Sequence, residues 1–486
     1  MARSPPQPHA RPALRAPRDL ERTHRSALLG AALGACALVC ALVCAASLAT
    51  RLRADDTAHA VVRSVESPGA LAPFFASLLA SERRQATTRI SWFGDSNIAF
   101  DSITSTLRAR LQGRFGDAGH GFVLVTPGYL PYGHRGIVLS SRGRWRLSEL
   151  VRGTRADGRY GYGGVLFMPS APSTSATFST ARAGEVGRAA SRFEVLYQRH
   201  AQGSALELRA EDGATTTVDT RAESTSDGVA VLEVADGAHT FSLRAAGRGE
   251  LRVYGVVLER AAPGVVLDSV GLVGARGKRL LAWDAAHLAG QVATRRPQLI
   301  VIGFGANEAS DAYDGDDPYT AETSEVVRRL RAGAPDAACL VLGPPDQAGP
   351  APGGGEVRTY PTLPRRVEIQ RRVAVSAGCA FWDTFSAMGG AGSMVRWHRT
   401  GLGGHDYRHS TAAGYERLAE LLDAALMSAL ADYRSAEAAR VSDAGEPGDA
   451  GDAGNSPDAG EREPHAEAGR ADTAAGDAGS TRDGGR

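Results

Sequence analysis

The chain has 486 residues, which is long enough for more than one domain. Its 55 basic and 54 acidic residues leave a formal net charge of +1. This balance excludes the strongly basic surface that is typical of nucleic-acid-binding proteins, so no nucleic-acid partner is expected.

The first fifty residues predict a membrane anchor. Residues 1–25 are rich in Pro and Arg, and an uncharged, mostly apolar run follows at residues 26–50. That run exceeds the roughly 20 residues that a membrane-spanning helix needs. The arginines on its amino side predict a cytoplasmic basic segment and a body placed in the periplasm or outside the cell. A cleaved signal peptide, with secretion of the body, is the alternative.

Two hydrophobic patterns divide the body. In residues 53–121 and 263–433, short apolar runs alternate with amphipathic stretches, which predicts an α/β domain with a parallel sheet. The expected strands are Arg89–Phe93, Gly264–Val270, Leu299–Phe304, Cys339–Leu342 and Cys379–Trp382. The expected helices are Ser102–Phe115, Lys278–Ala293, Ala321–Ala332, Arg365–Ala377 and Ala412–Leu430.

Residues 122–262 interrupt this domain with a different pattern. Apolar and polar residues alternate with period two, as in Val229–Val234, and Asp-Gly pairs separate the runs. Several short strands joined by such turns predict an inserted β-sandwich. Residues 434–486 consist mainly of Ala, Gly, Asp, Glu and Pro and contain no aromatic residue, which predicts a disordered tail.

Two cysteines of the body, Cys339 and Cys379, each lie at the start of a predicted strand. If those strands are neighbours in an oxidising compartment, the two thiols can form a disulfide. Two buried free thiols are the alternative, because sequence spacing does not fix the distance between Cα atoms.

The most informative motif is Gly94-Asp95-Ser96, directly after the first predicted strand. A strand that turns into a helix at this point brings the Ser96 hydroxyl to the carboxyl edge of the sheet. A serine hydroxyl needs a base within hydrogen-bond reach to act as a nucleophile, and its amide can stabilise an oxyanion. The alternative is that Asp95 or Ser96 only caps the helix.

Two further candidates follow later strands. Asn307 lies just after the carboxyl end of the strand Leu299–Phe304. There a neutral amide can donate to a developing oxyanion. A turn asparagine is the alternative. A third donor is expected from the Gly-rich loop after the second strand, where a bare glycine amide can approach a substrate. Gly274 is favoured there over Gly271.

The base is harder to identify, since Asp-x-x-His occurs five times in the sequence. Asp406 and His409 are distinguished by their setting, a Gly-rich loop just before the last predicted helix. There the carboxylate can hold one imidazole nitrogen while the other faces Ser96. The pair Asp284 and His287 lies within a helical pattern, which favours a packed or surface histidine.

Together these motifs resemble the SGNH (GDSL-type) hydrolase superfamily. Its first, third and fifth blocks match Gly94-Asp95-Ser96, Gly305-Ala306-Asn307 and Asp406 to His409, whereas the second block has Val273 where asparagine is common. The resemblance implies Ser96 as nucleophile, His409 as base, Asp406 as its orienting partner, and Ser96, Gly274 and Asn307 as oxyanion-hole donors.

The inserted segment and its flanks are similar to peptidoglycan O-acetylesterases, which carry a carbohydrate-binding-module-like β-sandwich within a flavodoxin-like SGNH domain. The resemblance implies a membrane-anchored esterase that removes O-acetyl groups from peptidoglycan or a related envelope polysaccharide, with no metal or cofactor. An SGNH O-acetyltransferase of envelope glycans and a non-catalytic glycan-binding envelope protein are the alternatives. In this family setting Trp397 and residues 343–346 are expected to line the edge of the pocket. A packed tryptophan and a plain turn are the alternatives.

Overall fold

The computed structural model describes residues 64–127, 132–183, 187–311, 315–351 and 354–443. The predicted basic segment, the predicted anchor at 26–50 and the tail beyond residue 443 lie outside these residues. Among the helices of the described residues, none is both long and apolar enough to cross a membrane.

A five-stranded parallel sheet lies at the centre of the first and last parts of the chain, as the continuous apolar runs predict. All four strand pairings are parallel. The observed strands are β1 (Thr87–Gly94), β13 (Gly264–Gly271), β14 (Leu299–Gly303), β15 (Ala338–Leu342) and β18 (Ala380–Trp382). Side chains along β13 and β15 are buried almost throughout, because helices cover both faces of the sheet. The prediction of an α/β fold is confirmed.

The strand order of this sheet, β13-β1-β14-β15-β18, reverses direction between β1 and β14. In an open parallel sheet, the loops that leave two such strands diverge to opposite sides and open a crevice at the carboxyl edge. Ser96 follows β1 and Asn307 follows β14. The two candidate residues therefore lie at the position where α/β sheets bind ligands.

The helices of the described residues cover the parallel sheet and carry its connections. They are α1 (Ala72–Glu82), α2 (Ser96–Ala99), α3 (Ser102–Phe115), α4 (Ala285–Arg295), α5 (Asp316–Arg331), α6 (Leu363–Ser376), α7 (Thr384–Ala387), α8 (Ser393–Arg399) and α9 (Ala412–Asp443). Short 3-10 helices occur at Pro68–Leu71 and Gly277–Ala282.

Two helix predictions differ from the structure. The stretch Lys278–Ala293 is not one helix, because the Asp284 carboxylate accepts the His287 backbone amide and starts α4 anew. The last helix runs to Asp443, nine residues beyond the predicted start of the tail at residue 434.

Between β1 and β13 the chain forms two antiparallel sheets. One has the order β10-β7-β12-β5-β4, with β2 also pairing to β12, and the other has the order β3-β6-β11-β8-β9. Their strands are β2 (Gly119–Val123), β3 (Ile137–Arg142), β4 (Trp145–Glu149), β5 (Val165–Pro169), β6 (Ser175–Thr180), β7 (Ala190–Arg199), β8 (Ala205–Ala210), β9 (Thr215–Asp219), β10 (Ser226–Gly237), β11 (Thr240–Ala245) and β12 (Val253–Glu259). A separate short hairpin pairs β16 (Ala348–Pro350) with β17 (Val357–Thr359).

Aromatic side chains join the two antiparallel sheets. Phe193 of β7 packs on Phe241 of β11 with ring centroids 4.8 Å apart, and on Phe178 of β6 at 5.7 Å. Among the described residues of 122–262, no Trp, Tyr or Phe side chain is exposed. A carbohydrate-binding function of this segment stays a prediction, and among these residues it has no exposed aromatic ring on which a sugar could stack.

Buried polar contacts tie the antiparallel sheets to the parallel one. Asp268 of β13 is fully buried and accepts hydrogen bonds from Arg295 (Nε–Oδ2, 2.8 Å) and from the Tyr162 hydroxyl (3.0 Å). Arg295 also pairs with Glu259 of β12 at 2.6 Å. The fold tolerates these buried charges because each has a partner, and loss of one partner would be destabilising. The segment is thus attached through its interior rather than through a linker.

Cys339 and Cys379 form a disulfide, so the alternative of two free thiols is wrong. β15 and β18 are neighbours in the parallel sheet, and the two cysteines lie at the same end of these strands. The strand order therefore places the two residues within bonding distance, which the sequence spacing alone could not establish.

Candidate active site

The candidate nucleophile lies at the junction of β1 and α2. Asp95 is the N-cap of α2, since its Oδ1 accepts the Asn97 backbone amide at 2.9 Å, so the capping role predicted as an alternative belongs to Asp95. Ser96 is then the first helical residue, whose amide has no acceptor within the helix. Gly94 allows the close approach of the strands, because a Cβ there would lie 2.9 Å from the Gly303 carbonyl oxygen.

Ser96, His409 and Asp406 form a continuous hydrogen-bonded relay. The Ser96 Oγ lies 2.8 Å from His409 Nε2, and His409 Nδ1 lies 2.6 Å from Asp406 Oδ2. The carboxylate fixes the tautomer with the proton on Nδ1, which leaves the Nε2 lone pair to accept the serine proton. The structure therefore brings together three residues that are separated by up to 313 positions in the chain.

The loop before α9 is held in the conformation that aligns this relay. Asp406 Oδ1 accepts the backbone amides of Arg408 and His409, each at 3.0 Å. Tyr407 between them has a left-handed backbone with φ of 54°, and its carbonyl oxygen accepts the Ala348 amide of β16 at 2.9 Å. A non-glycine residue in this conformation costs about 1–3 kcal/mol, which the surrounding contacts must offset.

Two carboxylates at this site have shifted pKa values. Burial raises the pKa of Asp95 to about 6, although hydrogen bonds from Asn97 lower it in part. Partial burial alone would raise the pKa of Asp406. The hydrogen bonds from His409 and from two backbone amides outweigh this effect, so the pKa of Asp406 is lowered. Asp406 is therefore ionised at neutral pH, as the partner of an imidazole that becomes charged must be.

The expected donors Gly274 and Asn307 lie in the loops that follow β13 and β14. Asn307 directs its Nδ2 toward the loop after β13, where one of its two N–H groups donates to the Ala275 carbonyl oxygen at 2.9 Å. The second N–H group is left for a substrate oxygen. Gly274 lies in the same loop with φ of 75°, and a Cβ at this residue would meet nothing within 4 Å. Its surroundings are open, as a donor to a substrate requires.

Gly271 has a different environment. It is the last residue of β13 and pairs with Gly94, and a Cβ there would lie 2.5 Å from the Ala99 Cα of α2. Gly271 is thus a packing residue that lets the nucleophile helix approach the sheet. This contact favours Gly274 over Gly271 as the donor, although its role stays a prediction.

The three other Asp-x-x-His pairs within the described residues are not arranged as relays. His287 donates or accepts at both ring nitrogens, with Nδ1 2.8 Å from Asp227 Oδ2 and Nε2 accepting the Gly161 amide at 2.9 Å. Asp236 instead pairs with Arg260. His120 packs on His134, with ring centroids 5.6 Å apart. The remaining pair, Asp56 and His59, lies outside the described residues.

The structure also corrects the expected edge of the pocket. Trp397 is fully buried in the core around α8 and α9, so it does not line the pocket. Asp346 is also fully buried and accepts the Met394 amide at 2.8 Å. Pro344 and Pro345 do line a narrow cavity of about 40 Å³ beside Asp95.

Sequence reasoning missed one acidic residue of the site, Glu308. It is 7% exposed, directly follows Asn307, and its Oε1 accepts the Gly277 amide at 2.7 Å. Burial raises the pKa of Glu308 to about 7, against the hydrogen bond from Gly277 that lowers it. Its position beside Asn307 was the only signal in the sequence.

Comparisons with known proteins agree with this geometry. Residues 224–417 match the model of the GDSL-like Lipase/Acylhydrolase family. The structure is similar to a solved peptidoglycan O-acetylesterase ("Peptidoglycan O-acetylesterase in action, 5 min"), with 25% sequence identity, a TM-score of 0.62, and coverage of 74% of this chain and 96% of that chain.

Two further structural matches have low TM-scores. A family two carbohydrate esterase from Cellvibrio japonicus has 11% identity and a TM-score of 0.26 over 61% of this chain and 99% of its own. A lipase/acylhydrolase from Enterococcus faecalis has 19% identity and a TM-score of 0.25 over 33% of this chain and 74% of its own. Comparison with curated proteins finds no match.

Proposed function

We propose that this chain is a membrane-anchored serine esterase of the GDSL-like acylhydrolases, whose family model matches residues 224–417. It removes O-acetyl groups from peptidoglycan or a related envelope polysaccharide. The observation that carries this proposal is the 2.8 Å hydrogen bond between Ser96 Oγ and His409 Nε2. The likeness to a peptidoglycan O-acetylesterase supports the choice of substrate class.

The reaction follows from the relay in two acyl transfers. Ser96 Oγ attacks the acetyl carbonyl carbon while His409 Nε2 takes the hydroxyl proton. The oxyanion receives hydrogen bonds from the Ser96 amide and from Gly274 and Asn307. As the bond to the sugar oxygen breaks, His409 returns the proton to that oxygen. Water then attacks the acetyl-serine by the same route and releases acetate.

The proposed location rests on the sequence. The apolar run at residues 26–50 would anchor the chain, and the arginines before it would keep residues 1–25 in the cytoplasm. The catalytic body would then face the cell wall. The disulfide between Cys339 and Cys379 agrees with this placement, since disulfides persist in oxidising compartments.

Acetate release tests the proposal directly. We expect the purified full-length chain to release acetate from p-nitrophenyl acetate and from O-acetylated peptidoglycan. Ser96→Ala should lower kcat by at least about 10³-fold on both substrates. It removes the nucleophile of the triad, whose three residues act together. Unchanged acetate release by Ser96→Ala would exclude the proposal.

The acceptor separates hydrolysis from acetyl transfer. In the same assay, an added glycan acceptor without acetyl groups should remain unmodified, as followed by mass spectrometry. Transfer of acetyl groups to this acceptor at a rate comparable with acetate release would instead identify an O-acetyltransferase.

A further inference from the structure

Two loops at the carboxyl edge of the parallel sheet are joined to each other. The loop after β13 carries Gly274, and the loop after β14 carries Asn307. Asn307 Nδ2 donates to the Ala275 carbonyl oxygen at 2.9 Å, and two residues further the Gly277 amide donates to Glu308 Oε1 at 2.7 Å. The two proposed oxyanion donors therefore belong to one hydrogen-bonded unit.

The contact of Glu308 is unusual because it buries a carboxylate. Glu308 is 7% exposed, and its second oxygen, Oε2, has no hydrogen-bond partner among the described residues. Burying an acid with so few partners costs stability. If this position served only to fill the core, an apolar side chain would be more stable than a buried acid. A functional constraint therefore explains the presence of Glu308 better than packing does.

An ion pair also joins the same loops, near the surface. Arg276 Nε lies 2.5 Å from Asp311 Oδ2, and their side chains are 38% and 31% exposed. Solvent screens such a pair, so it contributes little to the spacing of the loops. The buried contact from Glu308 to Gly277 is thus the stronger constraint.

We propose that Glu308 is a positioning residue, which holds the Gly274 loop against Asn307 and so sets the distance between two oxyanion-hole donors. Gly277 is three residues from Gly274, and fixing its amide limits the movement of the short loop between them. Donors must lie about 2.7–3.1 Å from the developing oxyanion, and a displacement of about 1 Å can cost about 10² in rate. This inference rests on the proposed esterase function.

Two substitutions of Glu308 separate the effect of side-chain length from the effect of charge. Glu308→Gln keeps an Oε1 acceptor at the same distance without the charge, whereas Glu308→Asp keeps the charge but is one methylene shorter. With p-nitrophenyl acetate and the full-length chain, we expect Glu308→Asp and Glu308→Ala to lower kcat about 10²-fold with KM within threefold. Glu308→Gln should stay within about fivefold of the unmodified chain.

The opposite pattern would overturn the inference. If Glu308→Gln is as slow as Glu308→Asp, or if Glu308→Asp keeps its kcat within threefold, the side chain does not act through its contact with Gly277. Circular dichroism and Tm accompany each variant, and the comparison of Gln with Asp decides the question even if Glu308→Ala does not fold.

Two further variants complete the experiment. Asp311→Asn removes the exposed ion pair of the same loops and should leave kcat within twofold. Ser96→Ala shows which of the two proposals fails. If Ser96→Ala retains activity, the proposed esterase function is wrong. If Ser96→Ala loses activity but Glu308→Asp does not, only the positioning role is rejected.

Discussion

At the scale of single residues, the half-exposed carboxylate of the relay is the first feature to test. The Asp406 side chain is 49% exposed, so water can solvate the imidazolium in its absence. We therefore expect Asp406→Asn to lower kcat by about 10²–10³-fold, less than the ~10⁴ loss that follows when a buried aspartate of such a triad is replaced. Steady-state kinetics with p-nitrophenyl acetate measures this, and a loss below threefold would contradict the orienting role.

His287 provides the contrasting case of a histidine used for structure. Its ring bridges Asp227 Oδ2 and the Gly161 amide, both in the antiparallel segment, from a fully buried position on α4. His287→Ala should lower the free energy of unfolding by about 1–3 kcal/mol, because it leaves the buried Gly161 amide without its acceptor. Asp227 would keep its contacts with Arg159 and the Tyr254 hydroxyl. Denaturant titration measures this loss. The kcat on p-nitrophenyl acetate should stay within threefold, and a larger decrease would place His287 in the catalytic relay.

The sequence was sufficient to find Ser96, Asp406 and His409, and the reason is positional. Each lies at the carboxyl end of a strand or just before a helix, where a parallel sheet gathers its loops. The spacing Asp-x-x-His carried no information, since only one of the four pairs within the described residues forms the relay. The raised pKa values of Asp95 and Glu308 could not be predicted, because burial depends on tertiary packing and not on the neighbouring residues.

At the scale of elements, the approach of α2 to β13 depends on a glycine. Gly271→Ala would place a methyl group 2.5 Å from the Ala99 backbone and so displace the helix that begins with Ser96. We expect a destabilisation of about 1–3 kcal/mol, as in overpacked cores, together with a decrease in kcat. Thermal unfolding and kinetics of the variant measure both effects.

Gly290→Ala is a matched control for that substitution. Gly290 lies within α4, and a Cβ there would meet nothing within 4 Å. Its replacement should leave kcat unchanged and raise stability by up to about 1 kcal/mol, because alanine favours the helix. Equal kcat in both variants would show that Gly271 does not set the position of α2.

The strands of the parallel sheet were predicted within two residues at each end, because a fully buried strand is a continuous apolar run. The helix predicted at Lys278–Ala293, by contrast, was wrong, because an apolar pattern alone does not show where one helix ends and the next begins. Apolar residues continue across Asp284, and only the capping geometry of that residue separates the 3-10 helix from α4. The helix α1 and the hairpin of β16 and β17 were not predicted, since neither has a strong period in the sequence.

At the scale of the whole molecule, the disulfide closes a loop of 40 residues between neighbouring strands. The chain-entropy relation gives about 4 kcal/mol of stabilisation for a loop of this length. We expect the Cys339→Ala/Cys379→Ala variant to lose a similar amount in denaturant titration and the reduced protein to behave alike. Reduction already frees both thiols, so a single Cys339→Ser substitution in the reduced protein would add no further control. A loss below about 1 kcal/mol would contradict the entropic contribution.

The antiparallel segment should be inseparable from the catalytic domain. The Tyr162 ring packs edge-on against Phe93 of β1, with centroids 5.5 Å apart, and its hydroxyl oxygen lies 2.6 Å from Ser91 Oγ. Removal of the segment would expose this part of the core of the parallel sheet. It would also remove Glu259, a partner of the fully buried Arg295. Asp268 alone would then face the Arg295 guanidinium, and the loss of one partner from a buried ionic cluster is destabilising.

Replacement of residues 122–262 by a short Gly/Ser linker should therefore abolish folding, and with it activity on p-nitrophenyl acetate as well as on O-acetylated peptidoglycan. Tyr162→Phe is a milder change of the same interface: it should cost about 1–3 kcal/mol, because Asp268 loses one of its donors, and leave the ratio of the two activities unchanged. Solubility, circular dichroism and acetate release measure these effects. A folded deletion variant that still cleaves the small ester would show instead that the parallel-sheet domain is autonomous and that the segment serves polymer binding.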